Sequence, residues 1–187
     1  MQRLSSSQPM RRGFSLVEVL VVIAIIAVLA AISYPIASKM IKKSNIEKNR
    51  AIAMTVERGI EDFYDEYGYF PIDVGTDEEL LQSQLVDMLN TLAGNTKDLN
   101  AKGKNFISSL ADAANGRSGL VYGSGDNIDS LVTSFGGQFS IILDGTYDNQ
   151  IKEPSRFGDT TVKGKRSLIW CFGEEADDEN AIITTWQ

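Results

Sequence analysis

The sequence predicts an α+β protein: a long N-terminal helix, membrane-spanning in its first half, followed by a small C-terminal antiparallel sheet. Three observations carry this. From Phe14 to Ala37 runs an apolar stretch of 24 residues whose single charge is Glu18. An amphipathic stripe then continues the helical period to Tyr67, and two short β-prone runs, 139–143 and 167–172, stand near the C-terminus. The 187 residues include no His, one Cys, and 18 Lys+Arg against 25 Asp+Glu, a net charge of −7. Without His there is no Ser-His-Asp or Cys-His arrangement and no imidazole base. A lone Cys excludes an internal disulfide or a CxxC site. The acidic balance gives no electrostatic footprint for nucleic acid, and we expect no enzyme.

As a helix, the apolar stretch extends roughly 36 Å, enough to cross a ~30 Å hydrocarbon core with some tilt. A polar leader, 1–13, precedes it with Arg3, Arg11 and Arg12, and Lys39, Lys42 and Lys43 follow it. Positive charge on both sides leaves orientation open by charge alone. An ordinary secretory signal would be cut after the apolar stretch, where Ala31-Ile32-Ser33 would leave Tyr34 as the new N-terminus. The alternative is a cut before it.

Arg11-Arg12-Gly13-Phe14-Ser15-Leu16-Val17-Glu18 resembles the processing site of the type IV prepilin and pseudopilin family. The resemblance implies cleavage between Gly13 and Phe14 by a membrane aspartyl peptidase, methylation of the freed amine, and a pilin-like lollipop fold. It also makes Glu18 the family's glutamate, four residues past the phenylalanine, and Pro35 its proline, 21 residues past it. The physics of Glu18 stands separately. A carboxylate deep in a bilayer costs about 2.5–3.5 kcal/mol even on lenient scales, so it needs a partner. The freed amine of Phe14, with a pKa of ~8, is largely charged near neutrality. It lies one turn away in the same helix, or meets the Glu18 of a stacked neighbour, which would set the register of a filament. The bland alternative is a glutamate snorkelling to the membrane surface.

Pro35 removes a backbone donor and disfavours a helical Tyr34, so a kink or loosening is expected there. Ala24, Ala27, Ala30 and Ala31 recur at helical spacing and permit close helix contact, or simply face lipid. Beyond the membrane, Ile52, Val56, Ile60, Phe63 and Tyr67 form a stripe, with Glu57, Glu61, Asp62, Asp65 and Glu66 on the other faces. Gly68 and Pro71 end the helix. The block 39–50 holds five bases and one acid, Glu47, and is expected over headgroups or against acidic faces of neighbouring subunits.

A second helix is expected from Thr76, where Thr76-Asp77-Glu78-Glu79 fits a capping box, to Gly94, with Leu81, Leu85, Met88 and Leu92 inward. Between 95 and 137 the signals are weak: a short helix over 106–114, turns around Leu120-Val121-Tyr122, and no functional residue. Phe139–Leu143 and Ser167–Phe172 read as strands. This layout and the acidic tail 173–180 resemble the major pseudopilin of type II secretion, whose C-terminal loop binds calcium. One departure is clear: where that family commonly has Asp-Pro-Trp-Gly before its first strand, this chain has Thr133-Ser134-Phe135-Gly136.

Calcium takes six to eight oxygens. Asp144, Asp148 and Asn149 from one loop and Asp177 and Asp178 from the tail are the candidate ligands, the alternative being a solvated acidic surface. Cys171, between Trp170 and Phe172, reads as a small buried hydrophobe, or otherwise as a reactive thiol. The expected organisation is a cleaved leader (1–13), a transmembrane half-helix (14–37) and an extracytoplasmic pilin-like domain (38–187). The expected role is a structural subunit of a type II secretion pseudopilus in the inner membrane, its C-terminal domain periplasmic. Expected partners are further copies, other pseudopilins, prepilin peptidase and an inner-membrane assembly platform. The alternatives are a type IV pilus-like or minor pilin subunit, or a signal-anchored extracytoplasmic binding domain.

Overall fold

The computed structural model describes residues 15–173 and 182–186, the side chains of Ser33, Pro35 and Ile36 excepted. The chain divides into two compact units, Met1–Lys42 and Lys43–Gln187. One helix, α1, runs from Leu16 to Tyr67. No glycine interrupts it before Gly59, and Pro35 lies inside it rather than ending it. In the first unit the apolar side chains of α1 are exposed on every face, Leu16, Leu20, Ile23 and Ile26 each by more than half. Among the described residues α1 is the one helix long and apolar enough to cross a membrane.

The second unit is built on the rest of α1. Ile52, Val56, Ile60 and Phe63 are buried as the stripe predicts, with Ala53 beside them. Gly59 sits on this face because a Cβ there would lie 2.8 Å from Ile107 Cγ2 and 3.1 Å from the Phe106 carbonyl oxygen. At the end of α1, Gly68 takes φ +78° and its N–H donates to the Tyr64 carbonyl at 2.7 Å, the left-handed cap expected there.

Helix α2 spans Gln82–Ala93, starting later than Thr76. The reason is tertiary: Glu79 bridges antiparallel to Ile142, and the Leu80 N–H donates to the Ile141 carbonyl at 2.8 Å. The segment is thereby extended along the sheet. The cap comes instead from Gln84, whose Oε1 accepts the Leu81 N–H at 2.8 Å. Leu81 is consequently exposed, while Leu85, Met88, Leu89 and Leu92 are buried.

The stretch 106–114 is not helical. It leads into an antiparallel hairpin of β1, Gly119–Tyr122, and β2, Ile128–Val132. Buried carboxamides replace regular structure here. Asn100 Nδ2 donates to the carbonyls of Thr91 (2.8 Å) and Lys104 (2.7 Å), and its Oδ1 accepts from the Tyr67 hydroxyl at 2.8 Å. The Thr133–Gly136 departure forms its own turn, with Thr133 Oγ1 accepting the N–H groups of Phe135 (3.2 Å) and Gly137 (3.0 Å).

Strands β3, Phe139–Leu143, β6, Ser167–Cys171, and β7, Ile183–Thr184, form the three-stranded sheet in the order β3-β6-β7. The expected single sheet is joined by two hairpins, β1-β2 and a second of β4, Gln150–Lys152, with β5, Thr161–Lys163. All five residues of β6 are buried. Ile169 and Cys171 pack into the core of α1 and α2, while Leu168 and Trp170 join Ile142 and Ile151 in a second cluster sealed by Phe157, Val162 and Trp186. Burial on both faces is why this strand reads as a continuous apolar run rather than an alternating one.

Candidate functional site

Three places bear on function: the head of α1, the acidic loop after β3, and the charges around the outer end of α1. At the head, the Glu18 carboxylate turns back toward the helix start, its Oε2 accepting the Ser15 N–H at 3.4 Å. The first turn of a helix leaves N–H groups unpaired and carries a partial positive charge, so a carboxylate is favoured there. Glu18 is the acid of that turn. The proposed cleavage residues Gly13 and Phe14 lie outside the described residues. Pro35 is within α1, its side chain likewise not described.

In the acidic loop Asp144 is 4% exposed and already engaged. Its Oδ1 accepts the Asp148 N–H at 3.2 Å and its Oδ2 the Asn149 N–H at 2.7 Å. Tyr147 and Asn149 take φ +59° and +61°, so this carboxylate holds a tightly wound loop. Asp144 and Asp148 converge as the sequence suggested. Their third companion, however, is Asp77 from the α1–α2 connection, the three offering carboxylate oxygens within 4.8 Å of one another. Asp77 is held by Thr146, whose N–H donates to Oδ1 at 3.0 Å and whose hydroxyl lies 3.3 Å from Oδ2. Asn149 contributes its backbone N–H to Asp144. Asp177 and Asp178 lie outside the described residues. Asp77 reads locally as a helix-capping acid beside Thr76, and its separation from Asp144 in the chain hides the pairing.

On the outer half of α1 the acids are matched by bases from the rest of the domain. Lys165 pairs with Glu57 at 2.7 Å. Arg166 pairs with Glu61, lies 3.3 Å from Asp65, and covers the Tyr64 ring at 4.2 Å. Glu66 is clasped by Lys102 and Lys104, and hydrogen bonds from these two ammonium groups, Lys102 first, pull its carboxyl down to about 2. Burial alone pushes the Cys171 thiol up to about 12, which makes it an inert core residue.

A lipid-compatible helix headed by a carboxylate, whose outer half is the helical layer of a small α+β domain, is the construction of a pilin-type subunit. Residues 9–34 match the family model for the prokaryotic N-terminal methylation motif, and the chain carries the N-terminal signature of the type IV pilins. It is 26% identical over 111 residues to the fimbrial protein EcpC of Eikenella corrodens, across 59% of this chain and 60% of that protein. The chain therefore spans less than two thirds of the length of that relative. No solved structure matches it significantly. Motif and relative together support a structural subunit of the pilin type anchored by its N-terminal helix.

Proposed function

We propose that this chain is a pseudopilus subunit of type II secretion. It is cut between Gly13 and Phe14 by prepilin peptidase, anchored in the inner membrane with its domain in the periplasm, and assembled through α1 with further copies and other pseudopilins on an inner-membrane platform. The observation that carries the filament role is Glu18 folded toward the end of the helix that cleavage would free. Glu18 then meets an amine only after processing, in its own chain or in a neighbour. The acidic loop supports the pseudopilus in particular. Asp77, Asp144 and Asp148, with the Thr146 hydroxyl nearby, are the hard oxygen donors that calcium takes. Asp144 Oδ1 accepts both the Asp148 N–H and the Thr146 hydroxyl, while Asp144 Oδ2, both Asp77 oxygens and Asp148 Oδ1 accept one hydrogen bond each and keep a lone pair.

A second reading, a type IV pilus-like fibre, is favoured by the fimbrial relative. The experiment is N-terminal sequencing of the mature protein followed by deletion of its gene. A methylated Phe14 is expected, and a chain starting at Tyr34 would remove the filament role. Periplasmic accumulation of normally exported enzymes then marks a pseudopilus, whereas loss of surface fibres with intact export marks a pilus.

A further inference from the structure

The charge of this chain is arranged along α1. Segment 39–50 carries five bases and one acid, whereas 59–96 carries nine acids and no base. Much of that acidity is neutralised within the domain by Lys102, Lys104 and Arg166. A remainder is not. Asp73, Glu78 and Glu79 are exposed, and no ion pair joins them among the described residues. They lie on the strap that follows α1, held at its outer end by Phe70 against Tyr64, with ring centroids 5.1 Å apart, by the Asp77–Thr146 hydrogen bonds and by the Glu79–Ile142 bridge. At the other end of the same unit Lys43 and Lys48 are exposed, and Arg50 leans on Glu47 at 3.3 Å. From Lys48 to Tyr67 the helix rises roughly 30 Å.

We propose that a second copy of this chain, displaced by roughly 30 Å along the α1 axis, lays its Lys43–Arg50 segment against the Asp73–Glu79 strap. The two surfaces are different and lie at opposite ends of one unit, so the contact cannot close on itself and propagates as a filament. Complementary charge selects this register and rejects the copy-to-copy alignments that set like charges side by side. The inference rests on the pilin-type reading and adds to it which surfaces meet.

The test is a charge swap in the full-length chain, in the cells that assemble it. Lys43→Glu with Lys48→Glu should lower filament yield at least tenfold. Adding Asp73→Lys, Glu78→Lys and Glu79→Lys to the same chain should restore it, an outcome that a loss of folding does not produce. Lys48→Cys combined with Glu78→Cys should give an oxidation-dependent ladder of multimers, while each single variant gives none, the native Cys171 being buried. Wild-type-like filaments without the ladder, or a swap that fails to rescue, would overturn this contact alone. Poor membrane retention of the Lys43→Glu, Lys48→Glu chain with unchanged filament yield would assign the basic segment to headgroups and overturn it too. No filaments from the wild-type chain would overturn the pilin-type reading beneath it.

Discussion

Asn49 and Ser134 are 85 residues apart and joined by a buried hydrogen bond, the Ser134 N–H donating to Asn49 Oδ1 at 2.7 Å. Both residues are buried, and Ser134 also shares a hydroxyl contact of 2.8 Å with Ser118. The bond ties the turn before β3 to α1. Asn49→Ala leaves a buried N–H without an acceptor and should lower stability by about 1–3 kcal/mol. Ser134→Ala keeps that N–H and should cost about 0.5–1.5 kcal/mol. Denaturant unfolding of the detergent-solubilised chain distinguishes them, and equal losses would count against the Asn49 tie.

Acid should loosen the contact between the end of α1 and the loop at 100–106. Glu66 has its carboxyl lowered from 4.5 to about 2, so its contribution is fully present above the ordinary carboxylate value and lost as pH falls toward 2. In the Lys102→Ala, Lys104→Ala variant, the fall in unfolding midpoint between pH 5 and 2 should be shallower than in the parent. The pair is surface-exposed, so the difference should also shrink in high salt. Superimposable pH profiles for variant and parent would remove Glu66 as a source of acid sensitivity.

Glu18→Ala should insert into the membrane as well as the parent, since it removes the one charge from an apolar segment, and should leave the domain's melting unchanged. On the proposed processing, filament yield should fall sharply, because the variant removes the carboxylate that the freed Phe14 amine would pair with. Fractionation and filament counts by electron microscopy measure the two effects separately; undiminished filaments would end the assembly role of Glu18.

The Cys171 thiol should resist alkylation at pH 8 in the folded chain and react at once in denaturant. Its side chain is 1% exposed and its ionisation is pushed up to about 12 by burial, so almost no thiolate is present at that pH. Mass spectrometry after a brief iodoacetamide pulse reads this directly, and rapid labelling under native conditions would show the strand opening.

Calcium, if it occupies the loop of Asp77, Asp144 and Asp148, stabilises by mass action, about 2.7 kcal/mol at a hundredfold excess over Kd. The chain should then melt several degrees higher in millimolar calcium than in chelator. Asp148→Ala should erase the difference, since the exposed Asp148 is the carboxylate least committed to holding the loop. Identical melting in both buffers would leave the three acids as a loop-winding device.

The membrane segment, the outer stripe of α1, the Gly68 cap and strands β3 and β6 were legible in the sequence because each rests on a local cause: period, length, or one residue's backbone preference. The start of α2 was not, since Glu79 and Leu80 take their hydrogen bonds from β3, far along the chain, and a local capping pattern at Thr76 loses to them. The β1-β2 hairpin is not legible in the sequence because Asn90 and Asn100 supply its surroundings with side-chain hydrogen bonds that no periodicity records; Asn90 alone binds the Ile128 N–H and carbonyl, both at 2.9 Å. At the acidic loop the sequence offered Asp144 and Asp148, and only folding added Asp77, because the proximity of carboxylates from separate segments is a property of the packed chain. Glu18 needed no tertiary structure: a single carboxylate in an apolar helix is costly in a bilayer unless it is paired or reaches the surface, whereas which acids of the domain are left without bases is decided only by the folded chain.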